Sequence, residues 1–139
     1  MDEEYGYDEN GRARIIIPDM IESPKKVVQL EIGEINYLIT NKYASTHSGL
    51  LWNTLEEFGI TKFDKVIGLV SELEVPAPNG DNYKLIGAGE VFRKNKNEID
   101  IKGKSGDYNI TINESHLIEL LPCFPKEMVV KLNGKILER

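Results

Sequence analysis

A strict alternation of apolar and polar positions first appears after Lys25. Val28, Leu30 and Ile32 share one face by period-two spacing, and Ile35, Tyr37 and Ile39 repeat the pattern on a return strand. Gly33-Glu34 lies between the two runs and suits a type II′ turn, so Lys25–Thr40 is expected as a β-hairpin. The period then lengthens. Leu51, Leu55 and Phe58 fall at i, i+4 and i+7, which predicts an amphipathic helix over Ser48–Phe58, with Trp52 flanking the stripe. Gly59 is placed to stop that helix, and Ser48 or Thr46 to cap it without completing a capping box. Lys65–Val75 reads as the best core strand. Ile67, Leu69, Leu73 and Val75 point one way and Val66 and Val70 the other, until Glu72 and Glu74 make the second face polar. With Tyr37–Thr40 and the helix, this segment allows a βαβ unit.

The second half reads as meandering antiparallel sheet. Pro76–Asp81 breaks the chain, and strands are expected at Tyr83–Phe92, Glu98–Lys102 and Tyr108–Asn113. Gly87 and Gly89 inside a strand pattern indicate a bend or bulge. Ser115–Leu121 fits a short helix or a strand equally. Met128–Leu132, Asn133-Gly134 and Lys135–Glu138 form a hairpin signature with a type I′ turn. Residues 1–24 read as an acidic flexible tail in which Ile15-Ile16-Ile17 is at most a short edge strand stopped by Pro18. The expected fold is therefore one α+β domain over 25–139, with a mixed or mostly antiparallel sheet. It has one principal helix (48–58) and a C-terminal β-hairpin (128–138).

Composition narrows the class. A chain of 139 residues that is 40% hydrophobic supports one packed core and is too apolar for a disordered protein. No apolar run is long enough to span a membrane, and no secretory signal opens the sequence. Cys123 is the single cysteine, which suits a reducing cytoplasm, and the sequons at Asn109 and Asn113 are read as chance. Net charge is −6, and Asp2, Glu3, Glu4 and Asp8 supply much of it, so the remainder is close to balance. Bulk duplex nucleic-acid binding is not expected of such a chain. The cluster Arg93, Lys94 and Lys96, with Lys102 and Lys104 nearby, reads as a solvated hairpin tip.

Candidate chemistry centres on Ser45-Thr46-His47-Ser48-Gly49, between a strand and the start of the predicted helix. Helix N-termini present unpaired N–H groups and partial positive charge. Ser45, Thr46, Ser48 and Gly49 are the candidate anion or phosphate ligands there, and His47 the candidate catalytic residue, as an acid or base when neutral. The alternative is that Ser and Thr merely cap the helix and His47 is exposed. No nucleophile elbow or triad is visible. Cys123 between Pro122 and Phe124 has no activating base nearby in sequence. The two histidines and one cysteine lack zinc-site spacing, and Glu72 and Glu74, with Asp64 or Glu90, read as a wet strand face before a cation site. Gly103-Lys104-Ser105 fails as a Walker A ending because Glu98 holds the upstream glycine position. Gly87-Ala88-Gly89 fails as a dinucleotide fingerprint because Phe92 holds the third. No cofactor and no metal are expected.

One local pattern points to a family. His47, Gly49, Gly59-Ile60, Asp64, Gly80-Asp81 and Ile86-Gly87 occur in an order that resembles small CRISPR-associated proteins of the ring-nuclease type. The resemblance covers about residues 37–90. It departs at Thr46, where the pattern has a basic residue, and ends after Glu90. It implies a Rossmann-like core holding a cyclic oligoadenylate over Ser45–Gly49.

The leading expectation is a small acidic cytoplasmic binding or regulatory protein without a complete catalytic set. Tyr5, Tyr7, Tyr43, Trp52 and the acidic tail are its candidate contacts for a protein partner or for self-association. One alternative is a nucleotide- or cyclic-oligonucleotide-phosphate site at Ser45–Gly49, with phosphodiester cleavage by His47. A second is a structural subunit of a homo-oligomer that joins sheets through Met128–Glu138. No membrane association is expected.

Overall fold

Two-sided burial makes the Lys25–Thr40 hairpin the centre of the fold. The structure, a computed structural model, describes residues 3–7, 13–18, 24–40, 45–95 and 97–138. In chain order come β1 (Glu3–Tyr7), β2 (Ala13–Pro18), β3 (Lys25–Ile32), β4 (Ile35–Thr40) and helix α1 (His47–Glu57). Then follow β5 (Lys65–Ile67), β6 (Glu74–Pro76), β7 (Tyr83–Asn95), β8 (Glu98–Lys102), β9 (Lys104–Ser105) and β10 (Ile110–Thr111). Helix α2 (Glu114–Leu120), a 3-10 turn at Leu121–Cys123, β11 (Val129–Leu132) and β12 (Lys135–Ile136) come last. Eight strands form one mixed sheet in the order β1-β2-β4-β3-β7-β8-β11-β12. Its neighbours are antiparallel except β2 with β4 and β8 with β11, which are parallel. β5–β6 and β9–β10 are separate two-stranded pieces. The fold is a single α+β domain.

The two faces of the sheet carry two cores. Val28 and Leu30 of β3, with Tyr37 and Ile39 of β4 and Leu85 and Ala88 of β7, meet Leu50, Leu51 and Leu55 of α1. On the other face Val27, Leu38, Ile15, Val91, Ile99 and Ile101 meet Leu117 and Leu120 of α2 and Phe124 beyond it. A strand apolar on both sides must sit inside the sheet. β3 fills that role, flanked by β4 and β7. The predicted turns are present: Gly33 has φ +65°, and Asn133 and Gly134 have φ +52° and +83°, as type I′ requires. Gly59 at φ +76° ends α1. Ser115–Leu121 resolves as helix, because Asn113 caps it by accepting the His116 amide and its apolar side packs on β2 and β4.

Three expectations are corrected. Lys65–Val75 is no core strand: only Lys65–Ile67 and Glu74–Val75 of it are extended, in the small hairpin β5–β6 outside the main sheet. Consequently the helix does not connect two strands of one sheet, and no βαβ unit forms. The physical reason lies at Gly68–Leu73. Glu72 is in the left-handed region at φ +57°, and the Gly68 amide bonds back to the Leu73 carbonyl, so the chain reverses in mid-run. The stretch read as a tail supplies two paired strands, Glu3–Tyr7 and Ala13–Pro18. The second lies beside β4 with Ile15 opposite Leu38, both buried. The expectations for Asp2, Asp8, Tyr43 and Lys96 lie outside the described residues. Tyr108–Asn113 is a strand only at Ile110–Thr111, paired with β9.

Candidate functional site

At the start of α1 the sequence supplies its own cap. Thr46 is extended (φ −137°, ψ 154°), and its Oγ1 accepts the Gly49 amide at 2.9 Å. Helical twist then turns His47 inward and Ser48 toward the 105–107 turn. His47 is only 4% exposed, and its Nε2 lies 2.6 Å from the Gly89 carbonyl of β7. A carbonyl only accepts, so Nε2 carries the proton and donates. Burial lowers the His47 pKa; the Gly89 carbonyl opposes this, and the Lys26 charge adds to it. The ring is thus neutral at physiological pH and its Nε2–H is committed to the backbone. It is not the exposed side chain that the capping alternative assumed.

Ser48 reaches a residue that sequence reasoning did not single out. Its Oγ donates to Asp107 Oδ2 at 3.1 Å and lies 3.4 Å from Thr46 Oγ1. Asp107 Oδ1 accepts the Val70 amide at 3.2 Å and the Ser71 amide at 3.0 Å, while its own carbonyl accepts the Leu69 amide at 3.3 Å. One carboxylate therefore joins the first turn of α1 to the tip of the β5–β6 hairpin. Desolvation raises the Asp107 pKa, but the Ser71 and Val70 amides and the Ser48 hydroxyl outweigh it, and the net shift is downward. The negative charge near the α1 N-terminus also complements the helix dipole. Gly68 makes the approach fit, because a Cβ there would stand 2.7 Å from Asp107 Oδ1. Of the proposed anion ligands, Thr46 and Gly49 are engaged with each other, Ser48 faces Asp107, and Ser45 is exposed. No local signal in Gly106-Asp107-Tyr108 announces a carboxylate that reaches residues 59 and 37 positions earlier.

What this junction holds in place is an apolar display. Val66 is 42% exposed, Ile67 62%, Leu69 66%, Val70 71% and Leu73 68%. Beside it Trp52 meets Phe63 edge-on at 5.6 Å, and Lys65 Nζ lies 5.4 Å from the Trp52 ring. Trp52 Nε1 donates to Glu56. The hairpin base is fixed by the Ala77 amide, which donates to the Asp64 carbonyl, and by the buried Val75.

The other candidates fall into structural roles. Gln29 is wholly buried; it exchanges bonds with the Asn113 backbone and lies 3.2 Å from His116 Nδ1. Lys94 pairs with Glu98 at the β7–β8 tip, and Lys131 does so more closely. Cys123 is buried. Among the described residues no three His, Cys, Asp or Glu side chains converge as a metal site would require, and no helix is long and apolar enough to cross a membrane. A cleft of about 530 Å3 runs along Asn109–Ser115 beside Ile86, and one of about 440 Å3 lies at Thr61–Asp64 with Gly80 and Asp81. Neither is lined by Ser45–Gly49. No protein-family model, curated protein or solved structure matches the chain.

Proposed function

We propose that this chain is a binding or regulatory protein that works by docking a macromolecular partner on its β5–β6 hairpin. The observation that carries this reading is the exposure of Val66, Ile67, Leu69, Val70 and Leu73 on a backbone tied down by Asp107. Single exposed aliphatics are ordinary, but five gathered on one short hairpin are a concentration that suits an interaction surface. Burying one such side chain fully is worth about 1.5–3 kcal/mol, so leaving five largely in water forgoes a large share of the stability of a small domain. A floppy loop would also lose entropy on binding; a tip whose amides are already bonded loses less.

The test is affinity capture from the native lysate with wild-type protein and with Leu69→Ser/Val70→Ser/Leu73→Ser. All three side chains are exposed, so the variant is expected to keep the wild-type circular dichroism and melting temperature. A protein retained by the wild type and lost by the variant supports docking on the hairpin. Identical retained sets would remove the hairpin from the function.

A further inference from the structure

We infer that the partner of the hairpin is a basic amphipathic protein segment, an apolar ridge or groove edged by lysine and arginine. This rests on the docking role proposed above. The inference comes from the charges that border the patch. Glu74 stands opposite Ile67 in the β5–β6 register, and Glu72 occupies the turn between Val70 and Leu73. Asp64 precedes β5, and Glu56 and Glu57 close α1, which packs on β6. All five acids are exposed. Lys62 and Lys65 lie in the same stretch, with Lys65 turned over the Trp52 and Phe63 rings. Exposed Lys104 stands two residues before Gly106, which abuts Val70; Asp107, bonded to the tip amides, offsets Lys104. The apolar surface therefore sits in a negative field. A phosphatidylserine surface would be repelled by it, and a second copy would bring a like rim against this one in any two-fold contact. A basic rim satisfies both the apolar centre and the acids, and opposite charge speeds encounter.

The experiment uses the full chain. A random peptide library is panned on the wild type, with Leu69→Ser/Val70→Ser/Leu73→Ser as the counter-target. Val70→Ser alone replaces it if circular dichroism shows the triple variant unfolded. The enriched peptides are then titrated against the wild type and Glu72→Lys/Glu74→Lys, at salt from about 0.05 M to about 0.5 M. Patch-dependent peptides should combine apolar residues with net positive charge. They should lose about fivefold or more in affinity on the double charge reversal, and weaken with salt. Patch-dependent peptides that are neutral or acidic, or that ignore the charge reversal, overturn the partner chemistry while docking stands. So does a wild-type dimer in sedimentation that the triple variant loses, or patch-dependent pelleting with phosphatidylserine vesicles. If no peptide, vesicle or second copy depends on the patch, the docking reading fails as well.

Discussion

His47 and His116 show how burial decides what an imidazole can do. Each is almost fully enclosed, His47 against Gly89 and His116 against Gln29. His47→Ala deletes the donor that ties the first turn of α1 to β7 and leaves the Gly89 carbonyl without it. We expect a loss of about 1–3 kcal/mol in urea unfolding, and an unchanged unfolding midpoint would show that the contact is not structural. His116 has a sharper pH signature. Burial pushes its pKa down from 6.5 to about 4, and its Nε2 has no partner among the described residues. The native state therefore refuses a proton that the unfolded chain accepts. Stability is fully present above pH 6.5 and falls as pH drops toward about 4, by a total on the order of 3 kcal/mol. His47 adds in the same direction. Chemical denaturation of wild type and His116→Leu across that window should give a flatter curve for the variant, whatever its absolute stability. Parallel curves would exclude His116 as the titrating group.

At the element scale, Asp107 is the hinge-pin between α1 and the hairpin. Asp107→Ala should speed amide exchange at Val70 and Ser71 by about tenfold or more, while the protection of β3 changes far less. Equal protection at Val70 in both proteins would show that the turn holds itself. Because the Asp107 pKa is depressed, the tie persists above its ordinary carboxylate range and loosens only as pH falls through the lowered value. The α1 cap was legible: Thr46 before an apolar helical stripe is a recognisable N-cap, and Thr46→Ala should cost about 1 kcal/mol by thermal unfolding. The Lys65–Val75 run misled for an equally physical reason. Aliphatic alternation reports a surface that avoids water or binds another apolar surface, and it does not say whether that surface belongs to the same chain. The polar breaks that reverse the run, Gly68 and Ser71-Glu72, are individually compatible with a strand, and their meaning depends on a carboxylate far along the sequence.

The whole molecule is decided by crossings. β10 and Asn113 pass over β7 at Gly87, where a Cβ would stand 2.8 Å from the Asn113 amide and the Thr111 carbonyl. Gly87→Val should therefore fail to fold, or unfold at far lower temperature than Gly33→Val, whose site is open. Gly33→Val carries backbone strain alone, since φ is +65° there. The C-terminal hairpin, read from sequence as a sheet edge, ends the sheet at β12 but is also half core: Met128, Val130, Leu132 and Leu137 are buried, and β11 runs parallel to β8. Removing residues 128–138 should abolish cooperative unfolding, with circular dichroism as the readout. Ile136→Pro, on the outermost strand, is the substitution that addresses edge pairing without touching the core, because the Leu137 amide points inward to Val130 and the Ile136 amide therefore faces the open edge.

The sequence by itself determined the local elements. It placed the β3–β4 hairpin, α1 to within a residue or so at each end, the β7 and β8 strands and the Asn133-Gly134 turn. Each follows from side-chain periodicity and from backbone preferences that act over a few residues. Tertiary structure decided which strand is central, that Ile15 joins the core beside Leu38, that His47 is enclosed, and that the most aliphatic segment faces outward. These outcomes depend on contacts between residues tens of positions apart. Where β3 supplies an apolar strand for the middle of the sheet, the run at Lys65–Val75 is left at its margin, held there by Asp107 with its aliphatic side chains, Val75 excepted, exposed.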